Sequence, residues 1–329
     1  MWITSSLDTV LTPTAVALGN FDGVHQGHRQ VIQPVLDCVS ASGEAAHATV
    51  VTFYPHPQEF FTGQRRHILT PLHEKIALLK AIGVKQLVLL PFNRELASLS
   101  PEAFVQTILV DHLRACRVSV GSNFCFGRQR SGTVADLQAI GANHGIEVAI
   151  APLAMLAESR VSSSAIRQAL QAGEIPQANR LLGRSYRLIG QVVGGQQRGR
   201  TIGFPTANLQ LPTEKFLPRQ GVYAVQVYLG ELDEHGRLPT TAVLPGVMNL
   251  GMRPTVDGSH ETVEVHLFDW SGDLYGKNLC VTLEHFLRPE QKFASLDALK
   301  AQIQADCLAA KALLGATQTT PETENRIER

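Results

Sequence analysis

At 329 residues, 44% hydrophobic and 18% charged, the chain is too long for one ordinary core, suits two domains and reads as globular. Its 29 basic and 29 acidic residues cancel, which removes the electrostatic footprint expected of a binder of nucleic acid or of an anionic membrane. Five scattered cysteines without a C-x-x-C spacing argue against a disulfide framework or a zinc site and fit a reducing compartment. The N-terminus, Met-Trp-Ile-Thr-Ser-Ser-Leu-Asp, has no basic segment leading into an apolar one, so no signal peptide is expected. No apolar run approaches the roughly 18 residues of a membrane-spanning helix. A cytoplasmic protein is expected, with no membrane and no nucleic acid among its partners. Nothing in the sequence sets an oligomeric state.

The first informative stretch is Ala17-Leu-Gly-Asn-Phe-Asp-Gly-Val-His-Gln-Gly-His28. An apolar run, Ala15 to Leu18, ends in a turn with Gly19, Gly23 and Gly27 and closes on His25 and His28. The segment after it returns its apolar residues at helical spacing. Strand, glycine turn and helix N-terminus form an anion site, because unpaired backbone N–H groups and the helix dipole both favour phosphate. Histidines at i and i+3 can serve one phosphate chain from the first helical turn. The stretch is neither a G-x-G-x-x-G dinucleotide fingerprint nor a Walker A loop.

Through residue 183, short apolar strands alternate with helical patterns. Ala45–Phe53 predicts a buried strand, stopped by Tyr-Pro-His-Pro at 54–57. Thr70-Pro71 predicts a helix start, with the threonine hydroxyl as cap, and Gly83 its end. Gln86–Leu90, Arg117–Gly121 and Glu147–Ala151 predict further strands, and Ser100-Pro101-Glu102 caps another helix. Strands separated by helices imply a parallel sheet covered on both faces. Ligands of such sheets bind beyond the carboxyl ends of the strands. One edge would then collect Gly19–His28, Tyr54–Pro57 and the loop 121–132. That loop, Gly-Ser-Asn123-Phe124-Cys-Phe126-Gly-Arg-Gln-Arg-Ser-Gly, reads either as a surface loop or as a pocket wall with aromatics for a flat ring. Further on, Arg160-Val-Ser-Ser-Ser-Ala-Ile-Arg167 places Ser162, Ser163 and Ser164 before a helical pattern, as caps that can also donate to phosphate. Arg167 follows as a fixed cation one turn in.

Gly173, Pro176 and Gly183 bound a short helical connector, and after Arg184 the character changes. Tyr186–Val193, Gly221–Leu229, Thr241–Val247, Thr262–Phe268 and Leu279–Phe286 are strand-like, and a helical pattern runs from Ser295 to Leu314. The expectation is a small antiparallel barrel with a terminal helix. Residues 1–183 form one expected domain, 184–315 a second, and 316–329 a disordered tail. The glycines and arginines of Gly194-Gly-Gln-Gln-Arg-Gly199-Arg200-Thr-Ile-Gly203-Phe-Pro-Thr206-Ala-Asn208 suit a loop whose backbone approaches phosphates. Thr206 and Asn208 face one way in an extended segment and can help hold Mg²⁺.

The frame G-N-F-D-G-V-H-x-G-H resembles that of prokaryotic FAD synthetases of the nucleotidyltransferase superfamily, and the 121–132 and 160–167 segments resemble further motifs of that family. Ser164 stands where that family usually has threonine, and Val161 where it has isoleucine. The stretch ending in Phe-Pro-Thr-Ala-Asn resembles riboflavin kinases, as do Val247-Met-Asn-Leu-Gly-Met-Arg253-Pro-Thr255 and Glu264-Val-His-Leu-Phe-Asp269. The double resemblance implies a Rossmann-like α/β sheet followed by a β-barrel, and an enzyme that makes FMN from riboflavin and FAD from FMN with two ATP. It implies ATP and phosphate contacts at Gly19, Phe21, Asp22, Gly23, Gly27, Ser162, Ser163, Ser164, Gly199, Arg200 and Gly203. His25, His28 and Arg167 would act in adenylyl transfer and Glu264 as the kinase base, with flavin contacts at Asn123, Phe124, Phe126 and Arg253 and Mg²⁺ at Thr206 and Asn208. Three readings remain beside it: one activity only, a non-catalytic flavin-binding regulator, or a nucleotidyltransferase with another phosphate acceptor.

Overall fold

The computed structural model describes residues 1–41, 43, 45–156, 159–195, 199, 202–230, 232–233, 239, 243–255 and 258–317; for 253–255, 258–260 and 316–317 only the backbone is described. Arg200 and the tail from 318 onward lie outside the described residues. The chain forms two compact units. Among the described residues, the first holds Met1–Ala165, Glu214–Phe216 and Asp233.

The first unit is built on a six-stranded sheet of β1 (Trp2–Thr4), β2 (Thr14–Leu18), β3 (His47–Tyr54), β4 (Gln86–Pro91), β5 (Ala115–Gly121) and β6 (Glu147–Ala151), in the order β1-β4-β3-β2-β5-β6. Every pairing is parallel, and a short antiparallel pair, β7 (Met155–Leu156) with β8 (Ser159–Arg160), follows β6 in the chain. All five residues of β2 are buried, because its two faces feed two separate cores. Val16 and Leu18 join Val118 and Leu137 on one side, while Ala15 and Ala17 join Ile32, Val35 and Leu79 on the other. A strand covered on both faces needs a continuous apolar run, which is what Thr-Ala-Val-Ala-Leu supplies. Helices α1 (Gln26–Ala41), α2 (Pro57–Thr62), α3 (Leu72–Ala81), α4 (Arg94–Ser98), α5 (Pro101–Phe104, continued by a π-helical stretch Val105–His112) and α6 (Val134–Ala142) fill the connections. The order reverses between β2 and β5, so the loops that leave these two strands flank the switch point where such sheets bind ligands.

Two expectations about helix starts part company here. Ser100 caps α5 as predicted, its hydroxyl accepting from the Ala103 N–H at 3.1 Å. Thr70 does not cap α3: Pro71 takes the cap position without a side-chain bond, and the Thr70 hydroxyl accepts instead from Gly23 N–H at 2.9 Å. A long-range donor outcompeted the local one.

The second unit opens with α7 (Ser163–Ala172), which continues from the first, and α8 (Ile175–Leu182). It then forms a closed antiparallel barrel of β9 (Tyr186–Val193), β10 (Ala207–Gln210), β11 (Gly221–Leu229), β12 (Leu244–Thr255), β13 (Gly258–Leu267) and β14 (Asn278–Arg288), in the order β10-β13-β12-β11-β14-β9. Closure removes the edges that an open sheet would expose. Tyr223, Val225, Val227, Met248, Leu250, Leu279, Val281 and Leu283 are wholly buried. Terminal helix α9 (Leu296–Thr317) covers Val222, Ala224 and Val247 with Ala310 and Leu314. Arg288 clamps it, with Nε 3.0 Å and Nη2 2.7 Å from the two Asp306 carboxylate oxygens. Helix α9 reaches Thr317, two residues into the stretch expected to be tail. Among the described residues, no helix is long and apolar enough to cross a membrane.

Candidate active sites

In the first unit, the loop between β2 and α1 is fixed from below and from the side. Phe21 is 0% exposed and adopts φ +50°, while Val24 adopts φ +41°. Positive φ at a β-branched residue is strained and persists only where surrounding structure over-determines it. The surrounding bonds do so. The buried Asp22 carboxylate accepts from Leu69 N–H at 2.8 Å and Thr70 N–H at 3.2 Å. Asp22 O accepts from the Ser163 hydroxyl at 2.7 Å, and Asn20 O accepts from Lys75 Nζ at 2.9 Å. Burial lowers the Lys75 ammonium pKa and the Asp22 charge partly restores it.

The histidines behave as a capped pair. His25 Nδ1 accepts from His28 N–H at 3.2 Å, which makes His25 the side-chain cap of α1 and puts its neutral-form proton on Nε2. The two rings stack at 3.6 Å between centroids, 14° from parallel. A Cβ on Gly27 would stand 3.2 Å from His25 Cε1 and 3.3 Å from Ala154 Cβ, so a side chain here would press on the His25 ring. Gly19 lies under the Phe21 ring, and Gly23 is the N–H that Thr70 holds. At α7, Ser162 Oγ accepts from Ala165 N–H at 3.1 Å, which still leaves its proton to donate. Ser163 braces Asp22, Ser164 is exposed, and Arg167 is half-buried one turn along. His25, His28, Asp22, Gly23 and Ser163 thus meet at one sheet edge, while α7 carries Arg167.

The 121–132 loop divides its aromatics. Phe126 is 5% exposed and packs against Phe104 at 5.5 Å, so its ring belongs to the core. A Gly132 Cβ would stand 2.8 Å from that ring. Phe124 is half-buried and stacks on Phe126 at 5.9 Å; Asn123 is exposed. A second aromatic surface, unread in the sequence, lies beyond β3 and β4. Phe53, Phe60 and Phe61 surround Phe92 at 5.7, 5.4 and 5.7 Å, with Tyr54 61% and Phe61 69% exposed. The Phe-Phe doublet after a strand was the available signal. Between them, His56 accepts from Gln58 N–H at 3.1 Å and lies 3.3 Å from Arg66 Nη1. Burial first, then the Arg66 charge, bring its pKa down to about 4.

In the second unit, strand register builds the site. Asn208 of β10 and Asn249 of β12 both pair with Glu264 of β13, giving one row of Asn, Glu and Asn across three strands. Val263 and Val265 are buried on the other face, so the two-residue period turns Glu264 away from the barrel core. Thr206 donates to Glu264 Oε2 at 3.3 Å. The loop before β10 folds back tightly: a Cβ on Gly199 would meet Phe204 O at 2.2 Å, and Phe204 N–H donates to Gly199 O at 2.9 Å. Gly203 sits at its exposed turn. His266 Nδ1 lies 2.8 Å from Pro205 O, and Asn249 Nδ2 donates to Glu290 Oε1 at 3.1 Å. Asn249, His266 and Glu290 were not singled out from the sequence. The backbone of Arg253 pairs with His260; its side chain lies outside the described residues. Thr206, Asn208 and Glu264 supply hard oxygen donors, which fit a divalent cation that keeps waters and phosphate oxygens. Among the described residues, no cluster of three or more His, Cys, Asp or Glu side chains offers an all-protein metal cage.

Comparison with known proteins finds two family matches in succession along the chain. The FAD synthetase family model matches residues 8–165 and the riboflavin kinase model residues 182–314. The chain is 41% identical over 305 residues to the bifunctional riboflavin kinase/FMN adenylyltransferase of Escherichia coli K12, covering 92% of this chain and 93% of the relative. It is 42% identical to the protein of the same description in Pseudomonas fluorescens, covering 90% and 91%, and 34% identical to that of Bacillus subtilis, covering 89% and 90%. A crystal structure from Streptococcus pneumoniae, described as a macrolide-efflux protein, superposes with a TM-score of 0.82 at 29% identity, over 97% of this chain and 99% of that one.

Proposed function

The chain belongs to the family of bifunctional riboflavin kinase/FMN adenylyltransferases, and on that premise we propose how its two units divide the work. The enzyme phosphorylates riboflavin with ATP to give FMN and ADP, then adenylylates FMN with a second ATP to give FAD and pyrophosphate. We assign the kinase step to residues 184–315 and the adenylyl transfer to residues 1–183. The two family matches support this division.

In adenylyl transfer, the FMN phosphate attacks the α-phosphorus of ATP, the new P–O bond forms, and the bond to the β-phosphate breaks. The attacking oxygen is already ionised, so alignment and charge neutralisation carry the step rather than a base. His28 and the Nε2–H of His25 would stabilise charge on the α- and β-phosphates at the α1 N-terminus. Ser162 would donate to the leaving pyrophosphate and Arg167 would pair with it. Asp22, Ser163 and the glycines hold the loop in shape. The exposed aromatic surface around Phe61 and Phe92, with Asn123 and Phe124, would seat the flavin ring; Phe126 supports it from the core.

In phosphorylation, Glu264 would accept the proton of the ribityl hydroxyl as that oxygen attacks the γ-phosphorus and ADP leaves. The loop containing Gly199, Arg200 and Gly203 would lie against the nucleotide phosphates, and Arg253 near the flavin. ATP-using enzymes of these two classes work with a divalent cation. We assign Mg²⁺, held by Thr206 and Asn208 beside Glu264, where it would neutralise phosphate charge. We place the enzyme in the cytoplasm, in line with five scattered cysteines that form no C-x-x-C spacing.

The observation that carries the kinase half is the Asn208–Glu264–Asn249 row with Thr206 bonded to its carboxylate. The decisive experiment incubates the purified chain with riboflavin, ATP and Mg²⁺ and separates the flavins. FMN should appear first and FAD after it, with pyrophosphate released; FMN alone, or no product, overturns the reading.

A further inference from the structure

The first unit contains three residues from far along the chain, Glu214–Phe216, which fall inside the riboflavin kinase match. They form a parallel bridge with Ile68: Ile68 N–H donates to Glu214 O at 2.7 Å, and Phe216 N–H donates to Ile68 O at 2.8 Å. Between them, Lys215 is 3% exposed. Its Nζ lies 2.7 and 2.8 Å from the two carboxylate oxygens of Glu74, also 3% exposed, and 2.9 Å from Leu69 O.

The segment that Lys215 grips is the one that holds the phosphate loop. Leu69 and Thr70 bind Asp22 through their N–H groups, Thr70 holds Gly23 through its hydroxyl, and Lys75, next to Glu74, holds Asn20. A buried ion pair is poor evidence of net stabilisation, since desolvation of both charges offsets their attraction. Its geometry is nonetheless specific, because the ammonium must meet three acceptors at once. We propose that Lys215 is a positioning residue for adenylyl transfer: through Leu69 and Glu74 it fixes the 68–75 segment, which fixes Asn20, Asp22 and Gly23 in the loop that leads to the histidines. A residue of the downstream half of the sequence therefore sets the geometry of the upstream site. The inference rests on the adenylyltransferase reading of the first unit.

The test is Lys215→Met in the full chain, assayed separately for riboflavin phosphorylation and for FMN adenylylation with ATP varied. Wild-type protein that forms FAD in the same assay secures the underlying reading. The variant should raise the KM for ATP in adenylylation at least fivefold and lower kcat about tenfold, with phosphorylation within twofold of wild type. Lys215→Arg should recover part of the KM. A purely structural role would reduce the active fraction, lowering apparent kcat and leaving KM unchanged; that result overturns the proposal. Should Lys215→Met prove insoluble, Lys215→Met with Glu74→Leu leaves no unpaired buried charge and takes its place. An unchanged KM in that double variant overturns the proposal equally.

Discussion

The two units both present groups suited to ATP phosphates, and they build them by opposite means. In the barrel, Glu264 is aimed by strand register: its neighbours Asn208 and Asn249 follow from ladders whose every rung constrains the next. In the parallel-sheet unit, the loop proposed to bind phosphate is irregular backbone between β2 and α1. Its strained Phe21 and Val24 are held by separate latches from residues 47 to 141 positions away in sequence. A site built on register loses its chemistry when its reactive residue goes but keeps its shape. A latched loop can lose its shape through residues that touch no substrate.

The sharpest test of that contrast is a crossed pair of substitutions. His28→Ala should lower FMN adenylylation about 10²- to 10³-fold, the effect of one lost charge-stabilising donor, with riboflavin phosphorylation within twofold. Glu264→Ala should lower phosphorylation about 10²- to 10⁴-fold and leave adenylylation of supplied FMN intact. Loss of both activities from either folded variant would end the assignment of two independent sites.

Next in size is the clamp on α9. Arg288→Met should destabilise the barrel unit by about 2 kcal/mol, because Asp306, 6% exposed, keeps only the Gln302 side-chain bond among those described. Urea titration followed by barrel-sensitive hydrogen exchange would measure it; unaltered exchange would show that the ion pair adds nothing to helix docking.

Thr70→Val removes one latch and keeps the shape. Losing the acceptor for Gly23 N–H should cost about 1–2 kcal/mol, read as a roughly tenfold drop in adenylylation kcat/KM with phosphorylation unchanged. An equal drop in both activities would mean the loop is not latched locally.

The smallest effect is a pH dependence. His56 in the folded chain titrates at about 4 against an ordinary 6.5, so the unfolded chain binds the proton first. Stability from the neutral imidazole is therefore fully present above about pH 6.5 and is lost as the pH falls toward 4. Between pH 7 and pH 5, wild type should lose more Tm than His56→Gln does, by a few degrees. Equal losses would place the acid sensitivity elsewhere.

Much of the fold was open to reading because its signals are local. Tyr186–Val193, Gly221–Leu229 and Glu147–Ala151 came out with the observed ends, since apolar periodicity and flanking glycines bound them. β10 was hidden inside its motif, and the ends of β12 and β13 moved because their hairpin extends past the apolar stretch. Ser162 and Ser100 were recognisable as caps because a cap bonds within its own first turn.

What the sequence by itself determined is the chemistry on offer: two histidines at a glycine turn, three serines at a helix start, and Thr, Asn and Glu in barrel strands. Those rest on spacing within a dozen residues, which periodicity and turn chemistry encode. Only the tertiary structure decided who holds these groups in place. It turned Thr70 from a helix cap into a latch on Gly23, sent Phe126 into the core, and paired Glu74 with Lys215 at a separation of 141 residues. A hydrogen bond across that distance leaves no period in the sequence, because its partner is chosen by which surfaces the folded core brings together.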